Sequence, residues 1–77
     1  MFVTIVSPEK ELFKGEIQCI HIPGKQGRFE VLENHAPLIS TLVEGDVKCI
    51  GAETFEIHIK GGFVEIMNNE VSICVEL

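Results

Sequence analysis

The chain lacks the run of roughly 18 apolar residues that a membrane-spanning helix requires. Its opening residues, Met1-Phe2-Val3-Thr4, carry no cationic leader, so neither a transmembrane helix nor a signal peptide is expected. Basic side chains are few: 6 Lys and Arg stand against 12 Asp and Glu, giving a formal charge of −6. That balance excludes nucleic acid as the leading partner, because duplex binding rests on Lys and Arg neutralising phosphates. Cysteines are also few. Cys19, Cys49 and Cys74 sit among Ile and Val and form no Cys-x-x-Cys pair. Small secreted domains carry even disulfide sets, so an odd count fits a reducing compartment with the thiols as small core hydrophobes. The expectation is a soluble intracellular module.

What is present is apolar residues in alternation. The 77 residues permit one domain and are 45% hydrophobic, with a mean hydropathy of +0.28. A chain this short buries only about 60% of the surface its unfolded form exposes, so part of its apolar surface is expected to be covered by a partner. No linker, low-complexity segment or internal repeat divides residues 1–77.

Period-2 alternation predicts strands, and no segment carries a helical stripe. Phe2 to Val6 reads as a strand ended by the turn Ser7-Pro8-Glu9-Lys10. Leu12-Phe13 is a short apolar step before a second turn signal at Lys14-Gly15. Between Glu16 and Ile22 the alternation slips, and a β-bulge near Gln18-Cys19 would bring Ile17, Ile20 and Ile22 to one side. Pro23 to Gly27 reads as a loop, Arg28 to Leu32 as a strand, and Glu33 to Pro37 as a fixed corner. Asn34 tolerates positive φ there, and Pro37 keeps Ala36 extended. Leu38–Val43, Val47–Ile50, Thr54–Lys60 and Phe63–Met67 read as further strands, with a tight reversal at Gly61-Gly62. Asn68-Asn69 suits a type I′ hairpin turn before a last strand carrying Val71, Ile73 and Val75. Many short strands with Gly, Pro and Asn punctuation predict an all-β fold, a small sandwich or barrel. The expected core comprises Ile17, Ile20, Ile22, Phe55, Ile57, Ile59, Val71, Ile73 and Val75, with Phe63 also packed inward.

Catalytic patterns are missing. Gly24 and Gly27 precede no Lys-Ser/Thr pair, and Ser7, Ser40 and Ser72 lie in no nucleophile elbow. His21, His35 and His58 lack the spacing that puts two imidazoles on one metal. Cys19 and His21 are the nearest approach to a metal pair, without a second pair to complete it. Glu53 and Glu56 read as a solvated edge. No catalytic, cofactor-binding or metal-ligating residue is therefore expected, and no cofactor. Two alternatives stay open: a lipoyl- or biotinyl-like carrier domain using Lys60, and a metal-dependent β-sandwich enzyme using Cys19, His21 and His58.

Three segments carry a resemblance. Ser7-Pro8-Glu9-Lys10-Glu11-Leu12-Phe13-Lys14-Gly15, Gly27-Arg28-Phe29-Glu30-Val31-Leu32-Glu33-Asn34-His35-Ala36-Pro37-Leu38 and Gly61-Gly62-Phe63-Val64-Glu65-Ile66-Met67-Asn68-Asn69-Glu70-Val71 resemble, in order and spacing, the epsilon subunit family of F-type ATP synthases. The resemblance implies a β-sandwich of two mainly antiparallel sheets, without catalytic residues. It further implies a place at the foot of the central stalk, between the gamma subunit and the membrane c-ring, coupling proton or sodium flow to ATP synthesis. The implied location is peripheral, on the cytoplasmic face of the bacterial inner membrane, without direct lipid insertion. Candidate ring or stalk contacts are Arg28, Glu33, Asn34, His35, Glu44 and Gly45. The loops around Asn34-His35 and Glu44-Gly45 are expected at one end of the sandwich, facing the ring, with His35 as a corner-builder. Glu30, Glu33 and Asn34 depart from the Gly, Pro and Gly frequent in the family. The two C-terminal helices of longer members, and with them inhibition by insertion, are expected to be absent.

Overall fold

Alternation of apolar and polar side chains is carried directly into burial. In β1 (Phe2–Val6), Val3 and Ile5 are buried; in β9 (Glu70–Glu76), Val71, Ile73 and Val75 are. The computed structural model describes all 77 residues. Between those two strands lie β2 (Glu11–Glu16), β3 (Cys19–Gly24), β4 (Gly27–Leu32), β5 (Leu38–Leu42), β6 (Gly45–Ile50), β7 (Phe55–Ile59) and β8 (Gly61–Met67), with no helix.

The strands form one hydrogen-bonded path, β2-β1-β9-β8-β5-β3-β6-β7, with β4 paired to the other side of β3. The path doubles into two layers. The first sheet is β2-β1-β9-β8-β5, where β1 and β9 run parallel and the other pairs antiparallel. The second is β4-β3-β6-β7, antiparallel throughout. At one seam the sheets are joined by the single pairing Gly24↔Leu42, reinforced by Lys25 N–H to Thr41 O (3.1 Å) and Val43 N–H to Pro23 O (2.9 Å). At the other seam β2 and β7 share no ladder. There the Phe13 and Phe55 rings stack, with centroids 4.9 Å apart, so aromatic packing closes what hydrogen bonds leave open.

The inward faces meet in a core of 16 buried hydrophobic residues, and no polar or charged side chain is buried. Ile17, Ile20, Ile22, Ile59, Val71, Ile73 and Val75 are in it as the alternation predicts, while Phe55 and Ile57 are half-buried against it. Each fully buried Ile or Val contributes roughly 1.5–3 kcal/mol relative to exposure.

Four local expectations are corrected. Lys14-Gly15 is no turn, since β2 runs through it paired with Val3 and Thr4. The slip at Ile17-Gln18 is a crossing between sheets rather than a bulge: Ile17 N–H bonds Met1 O, and Gln18 N–H bonds Ile50 O. The only register shift is at Ile5/Val6. Gly61-Gly62 is a second crossing, because β7 pairs with β6 and β8 with β5 and β9. A Cβ at Gly62, where φ is +151°, would overlap the Cys74 carbonyl oxygen. Finally, Phe63 is 49% exposed, because inward parity on β8 belongs to Val64 and Ile66. Asn68 and Asn69 do take the expected positive φ values, 51° and 62°.

Candidate functional site

With the core wholly apolar, every side chain able to meet a partner lies at the two ends of the sandwich or on its two outward faces. The six candidate contacts divide between the ends. Glu33, Asn34 and His35 precede β5 and Glu44 and Gly45 follow it, so its five residues, about 16 Å of extended chain, separate them. The expectation that both loops share one end is therefore corrected: loops flanking a single strand must lie at opposite ends.

At the first end the corner is tied inward. Asn34 has φ +62°, and its N–H donates to Asn69 Oδ1 at 2.8 Å. Glu33 Oε1 accepts from the Met1 amino group at 3.0 Å. His35 Nδ1 lies 2.8 Å from the Ala36 carbonyl, and the His35 backbone N–H donates to Leu32 O at 3.2 Å, which is the corner-building role expected of it. At the second end Arg28, Glu44 and Gly45 come together. Gly45 packs so tightly on Pro23 that a Cβ would sit 2.8 Å from the proline Cβ, and Arg28 Nη1 lies 3.7 Å from the same point. Beside them an open cleft of about 540 Å³ runs along the seam, lined by Gly24, Lys25, Arg28, Phe29, Ile39 and Thr41 among others.

The outward faces differ. That of the first sheet carries Ile39 (72% exposed), Met67 (52%) and Phe63. Ile39 lies opposite Glu65, between Phe63 and Met67 on the neighbouring strand. That of the second sheet carries Cys19, His21, Glu30 and His58. His58 is held between Asp46 Oδ1 (2.7 Å) and Glu44 Oε2 (3.2 Å), and those hydrogen bonds, Asp46 first, raise its pKa.

The family model described as "ATP synthase, Delta/Epsilon chain, beta-sandwich domain" matches residues 1–77. The chain belongs to this family. Similar proteins include the ATP synthase epsilon chain of Caulobacter vibrioides, 43% identical over 74 residues, covering 95% of this chain and 86% of that one. The epsilon chain of Leptospira interrogans serovar Lai is 43% identical over 75 residues, covering 96% and 59%, so this chain spans little more than half of that relative. Solved structures share the fold. A chain of the Tetrahymena thermophila mitochondrial ATP synthase central stalk/c-ring superposes with TM-score 0.85 at 20% identity, covering 99% of this chain and 63% of that one. One from the Euglena gracilis enzyme gives 0.87 at 22%, covering 95% and 48%.

Within this delta/epsilon sandwich the alternatives from the sequence fare differently. Lys60 is not at a hairpin tip; it lies at a sheet crossing, its N–H bonded to Glu76 O at 2.7 Å, so the carrier geometry is not realised. His58 is engaged by Glu44 and Asp46, not by Cys19 and His21. The residue that does join Cys19 and His21 is Glu30, which sequence reasoning missed. Its signal was the Gly24…Gly27 spacing: a two-residue turn at Lys25-Gln26 pairs Gly24 with Gly27 and hence His21 with Glu30.

Proposed function

We propose that the chain is a non-catalytic central-stalk subunit of an F-type ATP synthase. In this reading it links the gamma subunit to the c-ring, so that both turn together as proton or sodium flow drives ATP synthesis. The observation that carries the reading is the exposed apolar strip Ile39-Phe63-Met67 on the first sheet. Three large apolar side chains on adjacent strands flank Glu65, with Glu70 beside Met67 at one margin; exposed apolar area of this kind suits a protein interface, and gamma is the partner assigned to it.

The end carrying Arg28, Glu44 and Gly45 is assigned to the ring. It combines charged side chains with an open cleft, which suits polar loops, and it adjoins the apolar strip through Ile39. The corner Glu33-Asn34-His35 holds the opposite end rigid through its internal hydrogen bonds. Torque passes through a body whose sheets are tied at both seams, and no catalytic group is required. The protein would lie on the cytoplasmic face of the membrane, held by the complex rather than by lipid.

The test is reconstitution. Membranes stripped of their epsilon chain and supplied with this protein should recover ATP-driven ion pumping, while the protein alone hydrolyses no ATP. Failure to restore pumping despite binding to the stripped enzyme would contradict the coupling role.

A further inference from the structure

Three ligand-type side chains converge on the outward face of the second sheet, and neither the core nor the proposed stalk contacts use them. Cys19 and His21 are two apart on β3, so both project away from Ile20 and Ile22, which are buried. The β3–β4 register places Glu30 directly across from His21. Cys19 Sγ then lies 3.2 Å and His21 Nε2 2.7 Å from the same carboxylate oxygen, Glu30 Oε2. The three ligand atoms all lie within 4.8 Å of one another.

We infer that Cys19, His21 and Glu30 form a binding site for a single Zn2+ ion, with solvent as the fourth ligand. A tetrahedral zinc with Zn–S about 2.3 Å and Zn–N and Zn–O about 2.0–2.1 Å spaces its ligand atoms roughly 3.4–3.6 Å apart. The Cys19–Glu30 and His21–Glu30 separations, 3.2 and 2.7 Å, fall short of that spacing by less than about 1 Å, a change within reach of side-chain rotation. A thiolate, an imidazole and a carboxylate select a borderline-soft ion such as Zn2+ over Mg2+ or Ca2+, which take oxygen ligands. The thiolate and the carboxylate together neutralise the charge of the ion.

Without metal, the Cys19 S–H and the His21 ring both bond Glu30, which gives the apo site a definite arrangement. Partial burial, and after it the Glu30 carboxylate, favour the protonated thiol. Binding must therefore release the thiol proton to solvent, and affinity rises with pH. The other groups in register around the site are Arg28 on β4 and Lys48 on β6, opposite His21, with apolar Leu32 and Ile50 flanking Cys19. The ion would bridge β3 to β4, an edge strand paired on one side only.

Cobalt(II) titration of the 77-residue chain, followed by zinc competition, tests the site. Wild type should show one thiolate-to-cobalt charge-transfer band at 1:1 stoichiometry, with zinc displacing cobalt at micromolar concentration or below. Cys19→Ser should abolish the band, and His21→Ala and Glu30→Gln should each weaken zinc binding at least about 100-fold. Cys49→Ser, Cys74→Ser and His58→Gln should leave both unchanged. A band that survives Cys19→Ser, or zinc binding unaffected by His21→Ala and Glu30→Gln, overturns the assignment, as does absence of the band in wild type. Glu30→Gln is isosteric and exposed, so it carries the test even if the cysteine variant folds poorly.

Discussion

The two outward faces of this sandwich stand on one core and obey the same alternation, yet they carry opposite chemistry. The first sheet shows Ile39, Phe63 and Met67 to solvent; the second shows Cys19, His21, Glu30 and His58. Alternation decides only which side chains point inward. The kind of residue at the outward positions decides what each face can meet: an apolar strip suits a protein surface, and convergent polar atoms suit water or an ion. Because no polar side chain is buried, all of the recognition chemistry is on these faces and at the ends.

The largest expected effect breaks both faces at once. Ile73 is fully buried at the centre of the first sheet, and Ile73→Ala should cost about 2–5 kcal/mol in urea unfolding. A loss below about 1 kcal/mol would mean that the site collapses around the missing atoms. Next comes the seam. Phe13→Ala removes the stack on Phe55 and should cost about 1–3 kcal/mol, since aromatic pairing adds about 0.5–1.5 kcal/mol to the lost burial. Both faces should remain chemically intact, so a folded variant retains partner binding.

The smallest effect belongs to the polar face alone. Bonds to Asp46 and Glu44 raise the His58 pKa above 6.5. A raised folded-state pKa contributes stability that is fully present below the unfolded value and is lost as pH rises through the folded value. The melting temperature should therefore show a small decline as pH rises from below 6.5 through the raised folded-state value, and His58→Gln should flatten that decline. An identical pH profile in the variant would remove His58 as its source.

The sequence made the strand content and the inward residues legible, because β1, β7 and β9 alternate cleanly. It did not reveal which sheet a strand joins. At Ile17-Gln18 and again at Lys60-Gly62 the chain passes from one layer to the other while its apolar side chains stay inward, and in sequence this resembles a bulge or a hairpin. Phe63 points outward because it has the opposite parity to Val64 and Ile66, which are buried. The shared end assigned to the Asn34 and Glu44 loops conflicted with the strand read between them. Glu30 was hidden by reading Pro23–Gly27 as an open loop, although Gly24 and Gly27 close a two-residue turn and fix the cross-strand register.

The central claim is that the apolar face docks the stalk, and one measurement addresses it directly: the affinity of the chain for a gamma-containing catalytic head stripped of its own epsilon chain. The double variant Ile39→Asp/Phe63→Asp should bind at least about 30-fold more weakly than wild type, as expected for loss of about 2 kcal/mol at an interface centre. Its thermal unfolding should remain close to wild type, because both positions are exposed. His21→Ala/Glu30→Gln, on the other face, should bind like wild type. Unchanged affinity of the first variant together with lost affinity of the second would contradict the account and move the stalk contact to the polar face.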